Sequence, residues 1–252
     1  MTKIALITGA TSGIGEACAH LFAREQYNLV LTGRRTDRLE KLAKKLNTEY
    51  NTEIAVSSFD VRDRQQVISN LEDLPAKWKN VNVLINNAGL SQGLDPIQSG
   101  SYDDWDTMID TNIKGLLYVS KVVSNWMITN KFGHIINIGS IAGKEVYPNG
   151  NVYCATKFAV DALNKAMRID LLPYGIKVTG VHPGAVETEF SEVRFKGDKE
   201  RANKVYDGFE PLVAADIAET IWFAVSRPPH VNINELTVMP TAQASAAIIS
   251  RK

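Results

Sequence analysis

The chain has 252 residues, 44% of them hydrophobic, which is enough for one sizeable core and too apolar for a disordered chain. Lys plus Arg and Asp plus Glu each number 28, so the formal net charge is zero; no global basic field exists to hold nucleic acid or an anionic membrane, and neither is expected as a partner. No apolar run reaches the length of a membrane span, Met1-Thr2-Lys3 leads straight into an apolar run with no room for a signal peptide, and the two cysteines, Cys18 and Cys154, lie in apolar helical patterns as reduced core residues, so a cytoplasmic protein is expected.

Short apolar runs alternate with amphipathic stretches along the whole chain. A strand is predicted at 4–8, then a helix at 13–25, a strand at 29–32 and a helix at 38–50 whose apolar face is Leu39, Leu42, Ala43 and Leu46. Asp37, with Glu40 three residues on, reads as the cap of that helix. Further strands are predicted at 54–58, 81–86, 134–138, 177–182 and 236–239, and further helices at 64–74, 105–127, 152–172 and 215–226. Strands rich in β-branched residues that alternate with helices imply a parallel sheet covered on both faces. With right-handed crossovers this is an α/β, single-domain, doubly wound Rossmann fold over residues 1–252. No repeat, low-complexity segment or linker marks a second domain.

Between the first strand and the first helix stands Thr8-Gly9-Ala10-Thr11-Ser12-Gly13-Ile14-Gly15. Its glycines are spaced G-x-x-x-G-x-G, but the physical demand matches that of other dinucleotide loops. The chain turns sharply, its backbone approaches a pyrophosphate, and a helix N-terminus offers free N–H groups. Thr11 and Ser12 add hydroxyls. The end of the second strand selects the dinucleotide. An acid there would accept from a ribose 2′-hydroxyl, whereas this chain carries Gly33-Arg34-Arg35. Guanidinium groups hold a 2′-phosphate, so NADP(H) is expected, with Arg34 the better candidate and Arg35 also able to solvate a helix start.

Within the 152–172 helix, Tyr153 and Lys157 are i and i+4 and share one face. An ammonium at ~5 Å, with an effective dielectric of ~20, favours a phenolate by ~3 kcal/mol, roughly two pKa units. That would bring a phenol towards the range where a general base works at neutral pH, although burial would oppose it. Such a pair also arises by chance on surface helices, and its company decides. Ser140 follows the 134–138 strand, thirteen residues before Tyr153, where a hydroxyl could hold a substrate oxygen as its charge changes; a serine in a Gly-Ser turn can equally be only a turn residue. Asn112 interrupts the 105–127 helix, a local misfit of the kind that marks a site.

The glycine loop, Asn86-Asn87-Ala88-Gly89, Ser140 and Tyr153-x-x-x-Lys157, in this order and spacing over nearly the whole chain, resemble the short-chain dehydrogenase/reductase family. The resemblance implies that Tyr153 exchanges the substrate hydroxyl proton while hydride passes to or from a nicotinamide. It implies that Ser140 and Tyr153 hold the substrate, and that Lys157 lowers the Tyr153 pKa and bonds the nicotinamide ribose. It further implies that Asn112 holds a water linking Lys157 to solvent. Cofactor contacts would come from Gly9, Thr11, Ser12, Gly13, Ile14, Gly15, Arg34 and Arg35. The adenine would meet Asp60 and Val61, although Asp60 can as well cap the helix that follows. Asn86, Ala88 and Gly89 would meet the ribose, and Pro183, Gly184, Val186 and Thr188 the nicotinamide. The family is commonly tetrameric through its long helices, here 105–127 and 152–172.

Residues 183–210 read as a substrate loop or lid. The wording Thr188-Glu189-Phe190-Ser191, then Val193-Arg194-Phe195-Lys196-Gly197, resembles NADP-dependent 3-hydroxy acid dehydrogenases, including those acting on serine and allo-threonine. An acid substrate needs a cation, and Arg194 is proposed as its carboxylate anchor; Lys196 can be only solvent-facing. The apolar tail 242–249 has no evident core left to enter and could pack on another subunit. His20, His134, His182 and His230 show no ligand-like spacing with acids or cysteines, and no metal is expected. The alternatives to a hydroxy acid dehydrogenase are a reductase of 3-ketoacyl or other carbonyl compounds and, more remotely, a non-catalytic NADP sensor.

Overall fold

The computed structural model describes residues 3–252. In chain order it contains β1 (Ile4–Thr8), α1 (Gly13–Arg24), β2 (Asn28–Gly33), α2 (Thr36–Tyr50), β3 (Ile54–Ser58), α3 (Arg64–Glu72), β4 (Val83–Asn86), α4 (Tyr102–Ile109), α5 (Leu116–Asn130), β5 (His134–Ile138), α6 (Asn151–Leu171), β6 (Lys177–Pro183), β7 (Val186–Glu187), α7 (Phe190–Arg194), α8 (Lys199–Lys204), β8 (Leu212–Val213), α9 (Ala214–Val225) and β9 (Glu235–Val238). Seven strands form one parallel sheet in the order β3-β2-β1-β4-β5-β6-β9. The chain winds outward from β1 to β3, then returns to place β4 on the other side of β1. The carboxyl ends of β1 and β4 therefore flank the switch point at which such sheets bind ligand.

Side-chain alternation along β1 feeds two cores. Ala5 and Ile7 join Phe22, Leu39, Leu46, Ile217 and Ile221 under α1, α2 and α9. Ile4 and Leu6 join Leu71, Val119, Val123, Met127 and Leu171 under α3, α5 and α6. Each core leucine of this kind contributes about 1.5–3 kcal/mol. Cys18 and Cys154 are buried free thiols, as expected. Among the described residues no helix is long and apolar enough to cross a membrane.

Four details depart from the sequence reading. The 105–127 helix is two α-helices joined by a π-helical segment, Asp110–Gly115, and Asn112 sits inside it. The second helix begins at Thr36, so Asp37 lies in its first turn and Arg35 occupies the cap position. The third helix is capped by Asp63, whose side chain accepts from Gln66 N, so Asp60 is not its cap. The segment after β6 also carries more structure than a loop: β7 and β8 pair in parallel, and α7 and α8 lie between them.

Candidate active site

The β1–α1 turn is built for close backbone approach. Gly9 and Gly13 have φ of +66° and +56°, in the left-handed region that favours glycine. A Cβ on Gly15 would run into the Gly9 carbonyl oxygen and lie 2.5 Å from Asn87 Nδ2. Gly15 is thus a packing glycine and does not line the cleft, whereas Gly9, Thr11, Ser12, Gly13 and Ile14 do. Ser12 is the N-cap of α1 but makes no side-chain cap bond, which leaves the helix N-terminus directed at an incoming anion.

Arg35 lies across this turn. Its Nε donates to Thr11 Oγ1 at 3.1 Å, its Nη2 to Thr11 Oγ1 at 2.7 Å and to Ser12 Oγ at 2.9 Å, and its Nη1 to Glu189 at 3.0 Å. Arg34 lines the same end of the cleft and bonds none of the described residues. Asp60 and Val61 line it too. The Asp60 carboxylate accepts from Arg62 at 2.6 Å; burial alone would raise it, but the bonds from Arg62 and the nearby Arg34 charge hold it below its ordinary range.

After β4 it is Asn87, not the expected Asn86, that meets the cleft. Asn86 is buried away from the cleft, where its amide donates to Ser120 Oγ at 2.8 Å and Asn137 Oδ1 at 2.9 Å, stitching β4 to β5. Asn87 lines the cleft with Ala88 and Gly89, and its amide donates to the carbonyls of Thr8 and Gly9. Asn112 is buried behind them. Its Oδ1 accepts from Leu90 N at 2.9 Å, and its Nδ2 donates to Leu90 O and Thr156 Oγ1. Gly89 is the spacer between Asn112 and α6, since a Cβ there would lie 3.3 Å from Asn112 Oδ1 and 3.5 Å from Lys157 Nζ.

Ser140, Tyr153 and Lys157 converge on the inner end of the cleft, with Pro183, Gly184, Val186 and Thr188 opposite. Ser140 Oγ accepts from Ala142 N at 3.1 Å. Lys157 Nζ donates to Ile138 O at 2.9 Å and lies 5.9 Å from the Tyr153 ring centre. Burial lowers the Lys157 pKa to about 8. The expected lysine-driven acidification of Tyr153 does not dominate in this chain. Burial against Leu90, Met108, Ala142 and Cys154 pushes the phenol well above its ordinary value. The Arg194 guanidinium and the Ser140 hydroxyl, rather than Lys157, work against that rise. Arg194 does not border the main cleft but sits over Tyr153, 5.3 Å from the ring centre. Its Nε donates to Ser91 Oγ at 3.0 Å, and its Nη2 to Tyr147 Oη.

Next to Gly139, where a Cβ would meet the His182 ring, lies a charged cluster that sequence spacing does not reveal. Asp161, His182 and Glu235 bring ligand-type atoms within 4.8 Å of one another. Lys144 Nζ donates to both carboxylates at 2.7 Å, so an ammonium fills the position a metal cation would take. The loop and tail also differ from expectation. Lys196 pairs with Asp104 at 2.9 Å. The tail folds back on its own chain: Gln243 Oε1 accepts from Ala185 N at 2.8 Å, and Lys252 N donates to Gly208 O at 2.8 Å.

Comparison with known proteins agrees with this geometry. The family model described as short chain dehydrogenase matches residues 3–199. The NADP-dependent 3-hydroxy acid dehydrogenase YdfG of Salmonella typhi is 44% identical over 246 residues, covering 97% of this chain and 98% of that protein. Sulfoacetaldehyde reductase 2 of Chromohalobacter salexigens is 45% identical over 248 residues, covering 98% of each. Among solved structures, the closed form of a serine dehydrogenase complexed with NADP+ superposes with a TM-score of 0.93 at 42% identity, covering 99% of both chains.

Proposed function

The chain belongs to the short-chain dehydrogenase family, and on that footing we propose that it is an NADP-dependent oxidoreductase acting between the 3-hydroxyl and 3-oxo forms of a small acid such as serine, allo-threonine or 3-hydroxypropionate. The observation that carries the substrate class is Arg194: a guanidinium braced by Ser91 and Tyr147 directly over the Tyr153 ring. Its Nη1 makes no bond to the described residues, and with the second Nη2 hydrogen it offers a carboxylate two parallel bonds. The relative from Salmonella typhi, named for 3-hydroxy acids, supports the same reading.

The cleft suits NADP. The positive-φ glycines and the α1 N-terminus fit a pyrophosphate, and Arg34 and Arg35 fit a 2′-phosphate. Asp60 and Val61 would border the adenine, Asn87, Ala88 and Gly89 the adjoining ribose, and Lys157 the nicotinamide ribose. Bound there, the cofactor supplies hydride transfer. The chain's own residues handle the proton and the oxygen. Ser140 holds the reacting oxygen, Tyr153 gives or takes its proton, and Arg194 with the Ser140 hydroxyl offsets part of the burial of the phenol. Asn112, fixed by Leu90 and Thr156 next to Lys157, orders the proton path out. Residues 183–210 act as the substrate loop or lid, fastened by Glu189 to Arg35 and by Lys196 to Asp104. The reading includes a cytoplasmic location and a homotetramer, the latter supported by the apolar Ile169 and Leu172, about three-quarters exposed at the end of α6.

A second reading has a specific support. The Chromohalobacter salexigens relative is named for sulfoacetaldehyde, and a sulfonate is also a small anion that Arg194 could hold. The deciding experiment is initial rates with serine enantiomers, allo-threonine, 3-hydroxypropionate, 3-hydroxyisobutyrate, 2-hydroxyethanesulfonate and neutral alcohols, each with NADP+ and NAD+. Fastest turnover of a 3-hydroxy acid with NADP+ supports the proposal. A preference for the sulfonate selects the second reading, and a preference for neutral alcohols or NAD+ rejects both.

A further inference from the structure

Glu189 joins three separate elements. It stands immediately before α7, and its carboxylate accepts from Arg35 Nη1 at 3.0 Å and from Arg38 Nη1 at 2.8 Å. Arg35 follows β2 and lines the cleft beside Arg34, and Arg38, in the first turn of α2, is joined to it through the shared Glu189 carboxylate. The remaining donors of Arg35 are committed to Thr11 and Ser12. Its Nη1 is therefore the one that could turn to a new anion, and Glu189 holds it. The carboxylate stays ionised: burial would raise it, but the bonds from the two arginines hold it below its ordinary range.

From this arrangement we propose that Glu189 is a specificity-determining residue that competes with the cofactor's 2′-phosphate for Arg35 and Arg38. The proposal rests on the NADP reading above. A 2′-phosphate brings nearly two negative charges to the guanidiniums that one carboxylate already satisfies. Both anions cannot take the same N–H, and a phosphate held by these guanidiniums would repel the carboxylate. A 2′-hydroxyl brings no charge and does not enter this competition. Arg34, with no bond to the described residues, would grip the phosphate whichever way Glu189 turns. Glu189 thus sets how large the NADP preference becomes, while Arg34 sets its sign. The three side chains are each roughly two-fifths exposed, so water and salt moderate the effect.

The test is the dissociation constants of NADP+ and NAD+, measured by calorimetry for the full chain and for Glu189→Gln, which keeps the side chain's size and removes its charge. Glu189→Gln is expected to tighten NADP+ about two- to fivefold, the upper part of the range for one partly exposed charge pair, while NAD+ changes less than about 1.5-fold. Unchanged or weaker NADP+ binding in the variant overturns the proposal, as does an equal gain for both dinucleotides. Arg38→Gln supplies an independent arm. It should weaken NADP+ and leave NAD+ alone, and an equal loss of both again counts against the competition. Failure of the underlying reading looks different, because the unmodified chain would then bind NAD+ as tightly as NADP+ whatever the variants do.

Discussion

The Arg194 guanidinium lies 5.3 Å from the centre of the Tyr153 ring, so the proposed substrate anchor and the proposed proton carrier form one electrostatic unit. Arg194 offsets part of the pKa rise that burial imposes on Tyr153. Arg194→Ala is therefore expected to do two things. It should raise KM for a 3-hydroxy acid by about 10- to 100-fold, the worth of a charge-assisted paired hydrogen bond, with little change for a neutral alcohol. It should also shift the limb of the kcat–pH profile that reports the phenol to higher pH, because a cation favouring the phenolate is gone. Arg194→Lys should restore the limb but only part of the KM. Equal KM effects on acid and alcohol would mean damage to the lid instead.

Tyr153→Phe removes one oxygen from a side chain that packs against Leu90, Met108, Ala142 and Cys154, and the ring can keep those contacts. Turnover should fall by at least about 10²–10⁴-fold, the typical contribution of a positioned acid or base. The NADP+ dissociation constant should stay within about twofold, since the rest of the cleft is intact, and a retained melting temperature would separate lost chemistry from lost fold. Near-normal turnover would remove Tyr153 from the reaction.

Much of this arrangement is written in local spacing. Ile4–Thr8, its glycine turn and α1 follow from an apolar run, three glycines and a 3.6-residue period, and Tyr153 and Lys157 share a face because they are four residues apart on a helix. What escaped the sequence depends on distant partners. Asn86 and Asn87 are both strand-end asparagines; only Ser120 and Asn137, arriving from α5 and β5, decide that Asn86 turns inward and leaves Asn87 at the cleft. Asp60 and Asp63 could each cap α3, and the bond to Gln66 N selects Asp63. Glu189 meets Arg35 across 154 residues, and the Asp161–His182–Glu235 cluster exists only once α6, β6 and β9 are adjacent. The phenol's electrostatics escape the sequence for a related reason: spacing supplies the lysine, but the burial that raises the phenol comes from other segments.

Gly15 offers a sharper test of the turn than the cleft-lining glycines. Its φ is ordinary, so strain is not the issue, but an added Cβ would strike the backbone carbonyl of Gly9 and approach Asn87 Nδ2, and a backbone atom in a tight turn cannot swing aside. Gly15→Ala should cost about 1–3 kcal/mol of stability, typical of overpacking, and weaken NADP+ and NAD+ alike because both use the same turn. Gly175→Ala meets no neighbouring atom, though its φ is +68°, and should cost only about 1 kcal/mol with dinucleotide affinity unchanged. A Gly15→Ala variant that binds both cofactors normally would show that α1 can move away from β4.

Two buried histidines should make the fold acid-sensitive above the range where carboxylates titrate. Burial, with Lys177 nearby, lowers His134 to about 3. Burial, with Lys144 as the next cause, lowers His182 to about 4 even though Asp161 and Glu235 pull the other way. Both rings have depressed folded-state pKa values against an ordinary value of 6.5, so the unfolded chain binds more protons between about pH 6.5 and 4. Their contribution to stability is thus fully present above pH 6.5 and is lost as the pH falls towards 4, by at most about 1.4 kcal/mol per pH unit for each ring. His20 is lowered as well and acts in the same direction. Urea unfolding at pH 7.5, 6, 5.5 and 5 should show a flat region followed by a steady decline. His134→Gln, whatever its cost at neutral pH, should make that decline shallower. An unchanged slope in the variant would mean that His134 is protonated in the folded protein, held by Thr179, whose Oγ1 lies 2.8 Å from its Nε2.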